Sequence, residues 1–433
     1  MSNPPHSLYF FVTFLQFFLG LFLAWKCWNR IGFKTGVAYY LVRTLVVFTF
    51  LPLHGDLVPP DIKVWLAHAG WMVDRHLFPS VDFPTAYHLG FNLILWGSYS
   101  IVHSPFAIMF AFGLFEMAAV PLLFFSLRDV FDEKTAKRSL ILFVSSPCLW
   151  RNVLFGQDEP ILVFFVGLIL LMLVRNRTVW AAVAAFLGFA ATKILAPVYF
   201  AAFFICMRMR GVLLLAAALV AYWLLALALG VNPFDLTSSA DLSRPAASLA
   251  DSDFVRGSVW YYMQSVPSLV QYAVLAAVTG LTTLLFLPTL VDGVRERRER
   301  LQAVCALASV LMLEFLSLFR ISYEPYIIPF LPVAFATLLT LGLKSLFLRL
   351  MALSFFAWTV FFEYKAAPTR WIQALGYGLD VILYVGYIAY GILFLAAAKA
   401  KGWLSSPRKG VCTTLALLGL GCETIKREEG GCE

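Results

Sequence analysis

Acidic side chains stand at two places in an otherwise apolar chain, each at the edge of a hydrophobic stretch. The first place is the segment HGDLVPPDIKVW, residues 54–65, which contains Asp56 and Asp61. The second is the turn GQDEP, residues 156–160, in which two acids follow each other. Carboxylates at a membrane boundary are costly to place and mark functional sites. The two places therefore indicate an integral-membrane enzyme with a catalytic carboxylate at one face.

The first acidic segment predicts a helix that lies flat at the membrane surface. Pro59-Pro60 interrupts any helix that leaves the membrane, and Asp61 then stands at an N-cap or first-turn position, which favours an acid. Apolar side chains follow at helical spacing: Ile62, Trp65, Ala69 and Met72. Polar side chains occupy the rest of the wheel: Lys63, His68 and Asp74. Such an amphipathic pattern is typical of an interfacial helix. Asp61 is either a helix cap or a catalytic carboxylate, and Asp56 is its competitor.

The second acidic segment predicts a polar outer turn followed by a helix. Gly156 permits the turn and Pro160 fits the first turn of the next helix. Asp158 and Glu159 are adjacent, so they cannot share one helical face; one of them can cap the helix while the other faces a cavity. Arg151 and Gln157 add polar groups at the same turn.

Four further side chains are candidates for binding an anionic substrate. Lys193 interrupts the apolar run FLGFAATKILAPVYF, where it either extends its amine to the membrane surface or binds phosphate in a polar cavity. Arg320 and Tyr323 stand between two predicted spans, where a lipid headgroup can be held. His88 follows the first outer loop and is expected to contact substrate.

The composition places these residues in a polytopic helical membrane protein. The 433 residues are 61% hydrophobic and only 13% charged, against about 25% charged in soluble domains. The apolar runs are continuous, which predicts an all-α bundle of about 11–14 spans. Basic residues cluster in the short connections, as the positive-inside rule expects of cytoplasmic loops. The net charge of +8 therefore does not indicate a nucleic-acid partner.

The predicted spans divide the chain into one membrane domain, residues 1–401, and a cytoplasmic tail, residues 402–433. The domain carries two long outer loops, 54–87 and 232–265, and the mixed-charge run 295–300 is expected to be a solvated loop. Segment 88–104 is either a further span or an interfacial helix. The remaining predicted spans are 7–25, 35–53, 105–127, 139–155, 160–174, 178–192, 195–207, 211–231, 266–290, 301–319, 324–342, 345–363 and 374–397.

These features together resemble the membrane C-type glycosyltransferases, which use polyprenyl-phosphate sugars, and most closely the mannosyltransferases of glycosyltransferase family 87. The resemblance is carried by three places: an acid in the first outer loop (Asp61-Ile-Lys-Val-Trp65), the turn Gly156-Gln157 before an apolar helix, and the small-residue helix AAVAAFLGFAATKILAP with Lys193. The acidic pair after Gln157 departs from the usual family pattern.

The resemblance implies a reaction and a set of roles. A sugar, most simply mannose, would pass from a polyprenyl-phosphate carrier to a hydroxyl of a glycolipid, glycan or protein at the outer face of the cell membrane, with inversion. Asp61, or Asp56, would be the general base. Lys193, with Arg151 or Arg320, would hold the leaving phosphate. The donor is already activated, so no cofactor is expected, and the residues show no metal-ligand spacing.

Other functions remain open on the sequence alone. A transporter or flippase for lipid-linked saccharides would explain the spans and Lys193, but it would place its ionisable groups near the midplane rather than in outer loops. A non-catalytic assembly protein would give the acids no common purpose. A related C-type enzyme that transfers arabinose, or that mannosylates protein, has the same sequence features.

Overall fold

The structure is a computed structural model that describes residues 15–16, 18–50, 60–83, 85, 87–146, 157–192, 196–230, 263, 266–291, 295–319, 324–340 and 386–417. Over these residues it is almost entirely helical, with an isolated β-bridge between Pro79 and Phe83. The predicted span 345–363 and nearly all of the outer loop 232–265 lie outside the described residues.

Fourteen α-helices are numbered here in chain order. They are α1 (Phe33–Phe50), α2 (Pro60–Asp74), α3 (Leu89–Ile101), α4 (Pro105–Val130), α5 (Glu133–Val144), α6 (Glu159–Val174), α7 (Thr178–Ala190), α8 (Ala196–Phe204), α9 (Arg208–Ala228), α10 (Ser268–Val291), α11 (Arg297–Leu318), α12 (Leu331–Thr340), α13 (Gly386–Ala400) and α14 (Pro407–Leu417). Short 3-10 turns, Ile205–Met207 and Glu324–Phe330, precede α9 and α12.

Four of the described helices, α4, α9, α10 and α11, are long and apolar enough to cross a membrane. They coincide with the predicted spans 105–127, 211–231, 266–290 and 301–319. Because the described residues also form no sheet, the predicted polytopic all-α membrane fold is confirmed. Helices α6 and α7, with 16 and 13 residues, are shorter than the roughly 20 residues that a full crossing requires.

The sequence sets several helix starts through local capping. Ser104 accepts a hydrogen bond from the amide of Phe106 at the start of α4. Asp132 accepts one from the amide of Thr135 at 2.7 Å at the start of α5. Pro160 occupies the first turn of α6, where its missing N–H is tolerated. These caps satisfy amides that have no partner inside their own helix.

The predicted span 139–155 is wrong as one continuous helix, and its residues 147–155 lie outside the described residues. Helix α5 begins at Glu133 and ends at Val144, and Ser145 and Ser146 are no longer helical. Ser146 precedes Pro147, and the residue before a proline is sterically driven away from the helical region. The hydrophobic stretch is therefore interrupted by local backbone chemistry before it reaches the length of a span.

Helix α11 forms the buried centre of the bundle, and its first turn binds the ends of two neighbouring helices. The Arg297 guanidinium donates to the carbonyl of Leu173, and Arg298 donates to the carbonyl of Val130 at 2.9 Å. Cations are favoured at helix C-termini, where carbonyls lack partners. The run 295–300 was expected to be a solvated loop: Arg297 and Arg298 are exposed as expected, but they belong to the first turn of α11 rather than to a loop. We call this end of the bundle, where α4 and α6 end and α11 begins, the basic end.

Helix α9 lies at the periphery, and most of its apolar side chains face outward. A helix that is apolar all round suits a lipid environment on its outer side. The described part of the tail, by contrast, packs back onto the bundle: Thr289 of α10 donates to the carbonyl of Trp403, and the amide of Ser405 donates to the carbonyl of Leu285.

Helix α2 has the predicted apolar face, but the face is covered by protein. Ile62, Trp65, Ala69 and Met72 are all buried, and α2 packs along α3 and α4. His68, which was expected on the polar side, is also buried, and its ring contacts Trp71 and Phe83. Segment 88–104, for which a span and an interfacial helix were both predicted as alternatives, supplies the 13-residue helix α3, which is part of this packing.

Candidate functional site

An aromatic cluster fixes the first turns of α2 and α3 beside each other. The Trp65 ring meets the rings of Tyr87, Phe91 and Phe112 edge to face, with centroids 5.7, 5.3 and 5.4 Å away. Such edge-to-face pairs stabilise a specific orientation in addition to burying area. Helix α2 begins at Pro60, so the backbone of Asp61 lies in its first turn, one turn before Trp65. The predicted first-turn position of Asp61 is confirmed.

The start of α3 is bound to the end of α7. The His88 amide donates to the carbonyl of Thr192 at 3.2 Å, and the His88 ring packs on Phe189 with centroids 4.2 Å apart. Gly90 comes so close to α7 that a Cβ at this position would lie 2.5 Å from the carbonyl oxygen of Ala190. Thr192 immediately precedes Lys193 in the chain, so the segment 60–87 ends against the residues that lead to this lysine.

The second acidic segment forms the start of α6, as predicted. Asp158 holds the N-cap position and Glu159 the first helical position, and both side chains are 0% exposed. Asp158 does not accept a capping hydrogen bond from its own helix, so the expected role as a cap is not observed for this carboxylate. Gln157 is partly buried beside them. A substrate would reach these two acids only through a space inside the protein.

The hairpin of α6 and α7 places the acids at the start of α6 and the residues around His88 at the same end of the helix bundle. Helix α6 ends at the basic end, and α7 returns antiparallel to it after the turn 175–177. A Cβ on Gly188 would lie 2.9 Å from the Phe165 side chain, so Thr192 is level with the first turn of α6. The starts of α2, α3 and α6 therefore all lie away from the basic end, with the predicted residues Asp61, His88, Asp158 and Glu159 on them.

His88 is neutral in this arrangement. Burial lowers the pKa of its imidazole to about 4, because the charged form is disfavoured away from water. Neither ring nitrogen hydrogen-bonds to a described residue. His88 therefore offers one donor and one acceptor rather than a positive charge, which suits a hydroxyl group better than a phosphate.

A buried ion pair, which the sequence analysis did not single out, links α1 to α4. Arg43 Nη1 lies 2.5 Å from Glu116 Oε1, and the Tyr40 hydroxyl donates to the same oxygen at 2.9 Å. Both charged side chains are only 1% exposed. The available signal was that each is the sole charged residue of its predicted span, 35–53 and 105–127, since lone charges inside spans pair with one another.

The ion pair lies close to the start of α6. Helices α4 and α6 run in the same direction, and the Ser126 hydroxyl donates to the carbonyl of Gly167 at 3.2 Å. Glu116 precedes Ser126 by ten residues and Glu159 precedes Gly167 by eight. At about 1.5 Å per residue, these two carboxylates lie within roughly one helical turn of the same level. The acids of α6 and the ion pair therefore belong to one buried polar layer.

We expect Gly90→Ala to disturb the junction of α3 and α7, because its new Cβ would meet backbone rather than a movable side chain. Overpacking of this kind costs about 1–3 kcal/mol. Gly97→Ala is the matched control on the same helix, since a Cβ there meets no atom within 4 Å. Thermal unfolding in detergent should show a lower midpoint for Gly90→Ala, with Gly97→Ala equal to wild type or higher. Equal midpoints for the two variants would contradict the close approach.

Five of the predicted site residues lie outside the described residues: Asp56, Arg151, Lys193, Arg320 and Tyr323. Their expected roles as alternative base and as ligands of the donor phosphate stay predictions. The same holds for the side chain of Asp61, of which the structure describes the backbone only. The described part of the site thus consists of acids, one neutral histidine and the helix starts that carry them.

Comparison with known proteins adds one match. The model of glycosyltransferase family 87 matches residues 98–319, just over half of the chain. The match begins near the end of α3 and runs through α11, so it includes Asp158 and Glu159 but not Asp61 or His88. No curated protein matches the chain.

Proposed function

Since the chain belongs to glycosyltransferase family 87, we propose that it transfers a sugar, most simply mannose, from a polyprenyl-phosphate carrier to a hydroxyl of a glycolipid or glycan. The observation that carries the proposal is the gathering of acid-bearing helix starts at the end of the bundle away from the basic end. By the positive-inside rule the basic end faces the cytoplasm. The reaction is then extracytoplasmic, at the outer face of the cell membrane.

The proposed chemistry is a single displacement at the anomeric carbon. The Asp61 carboxylate accepts the proton of the acceptor hydroxyl as general base. The hydroxyl oxygen forms the new bond to the anomeric carbon, while the bond from that carbon to the phosphate oxygen breaks on the opposite side. The configuration inverts, and the electron pair leaves with polyprenyl phosphate.

The leaving phosphate requires positive charge, and the proposal assigns this to Lys193 with Arg151 or Arg320. A fixed cation stabilises the charge that develops on the leaving oxygen. Supporting this assignment, Lys193 follows Thr192, whose carbonyl accepts from the His88 amide. The donor carries its own activated bond, so the proposal involves no cofactor and no nucleotide.

Transfer from radiolabelled donors in membranes that express the chain tests the proposal. We expect label from polyprenyl-phosphate mannose to enter a glycolipid or polysaccharide fraction, above the level in membranes without the protein. Polyprenyl-phosphate glucose and arabinose are the comparison donors, and preference for either of them would reassign the sugar. If the labelled lipid crosses the membrane of sealed vesicles but no sugar is transferred from any donor, the protein is a flippase and the proposal is wrong.

A further inference from the structure

A small surface cleft opens beside His88, between segment 60–87 and the far end of α9. Its walls are mainly apolar, with three polar side chains among them. The described residues that line it are Phe78, Pro79, Ser80, Leu89, Asn92, Tyr222, Leu225, Ala226 and Leu229. We propose that this cleft binds the neutral, hydroxyl-bearing head of the lipid acceptor. The inference rests on the proposed function, which requires such an acceptor.

Asn92 provides an unused hydrogen-bond acceptor at the cleft. The side chain is 1% exposed, and its Nδ2 donates to the carbonyls of Tyr87 and His88, each at 3.1 Å. These two bonds use both amide hydrogens and fix which end of the amide is the oxygen. Oδ1 is left buried without a hydrogen-bond partner among the described residues. A buried acceptor of this kind is costly unless a ligand donates to it.

Tyr222 provides a complementary donor. Its hydroxyl oxygen accepts from the amide of Leu89 at 3.1 Å, so its own proton is directed elsewhere. The Tyr222 ring also meets the His88 ring edge to face at 5.8 Å. A donor, an acceptor and aromatic surface within one small volume match the hydroxyl groups and apolar faces of a sugar.

The charge and the exposure of the residues that line the cleft indicate which kind of ligand it can bind. None of the described residues that line the cleft is charged, so the cleft suits a neutral head rather than the phosphate of the donor. Phe78, Leu225 and Leu229 line the cleft and are also exposed, with 38%, 52% and 42% of their surface accessible. They join the outward apolar side of α9, along which the hydrocarbon chain of a lipid can lie.

Two neighbouring leucines give a matched test. Leu225 lines the cleft and Leu224 does not, and both are exposed, at 52% and 62%. Both positions therefore accommodate a larger side chain without disturbing the core. The full chain in phosphatidylcholine nanodiscs is titrated with tritiated hexadecyl mannoside, a neutral single-sugar lipid.

We expect Leu225→Trp to weaken binding of the mannoside by about tenfold or more, which is about 1.4 kcal/mol, and Leu224→Trp to bind as wild type does. Unlabelled polyprenyl phosphate should not displace the mannoside. The inference is wrong if Leu225→Trp binds normally, if Leu224→Trp loses as much affinity, or if polyprenyl phosphate displaces the label. Binding needs no transfer, so a wild-type protein that binds as expected but transfers no sugar would refute the proposed function alone.

Discussion

Asp61→Asn is expected to lower the rate of sugar transfer by about 100- to 10,000-fold, the range that general-base catalysis contributes. Asparagine keeps the size of the side chain and can still cap the first turn of α2. It cannot accept the proton of the acceptor hydroxyl. The loss should therefore appear in kcat rather than in KM, with normal protein level and unchanged thermal stability. Initial rates with radiolabelled polyprenyl-phosphate mannose measure it.

Asp74→Asn is the control on the same helix. Asp74 ends α2, is about half exposed and lies 3.5 Å from the His103 ring, so its exposed pair contributes little. This variant should transfer sugar at the wild-type rate. If Asp61→Asn also transfers at that rate, the base is Asp56 or Asp158, and the corresponding asparagine variants would identify which.

Arg43→Met is expected to destabilise the protein by about 3–5 kcal/mol, because it leaves the Glu116 carboxylate buried without its cation. Methionine replaces most of the apolar volume of the arginine side chain, so the effect comes mainly from charge. Samples are heated in detergent and then analysed by size-exclusion chromatography. The temperature at which the monodisperse peak is lost gives the change in apparent melting temperature. Tyr40 alone cannot compensate, since it donates one neutral hydrogen bond to Glu116.

The double variant Arg43→Met with Glu116→Gln separates charge from packing. It removes both charges while an amide still accepts from the Tyr40 hydroxyl, so most of the lost stability should return. If the double variant is less stable than Arg43→Met, the two losses add and the pair is not coupled as the geometry indicates.

Much of the helical organisation follows from the sequence because apolar length and local capping act over short range. Four of the predicted spans coincide with helices long enough to cross, and the starts of α2 and α6 fall at Pro60 and Glu159. Pro147 already indicates in the sequence that helix α5 ends shortly after Val144. A hydropathy window does not detect this helix end, because it averages over a residue that changes only backbone geometry.

The sequence patterns did not predict which helices contact each other across long distances in the chain. The apolar face of α2 was located correctly, yet periodicity cannot distinguish lipid from the rings of Phe91 and Phe112 as its partner. Likewise Arg298 binds the carbonyl of Val130, 168 residues earlier in the chain. Such contacts depend on which helices become neighbours, and one sequence does not specify that.

The unequal lengths of α4 and α6 determine how deep the acids of α6 lie. At about 1.5 Å per residue, α4 extends about 39 Å and α6 about 24 Å, whereas the hydrocarbon layer is about 30 Å thick. Because the two helices finish together at the basic end, α6 begins about 6 Å short of the opposite surface. The start of α6 is buried in protein, so Asp158 and Glu159 lie below the level of that surface and out of contact with lipid. Under the proposed function, a carrier phosphate would then have to enter the protein by about this depth to reach the acids.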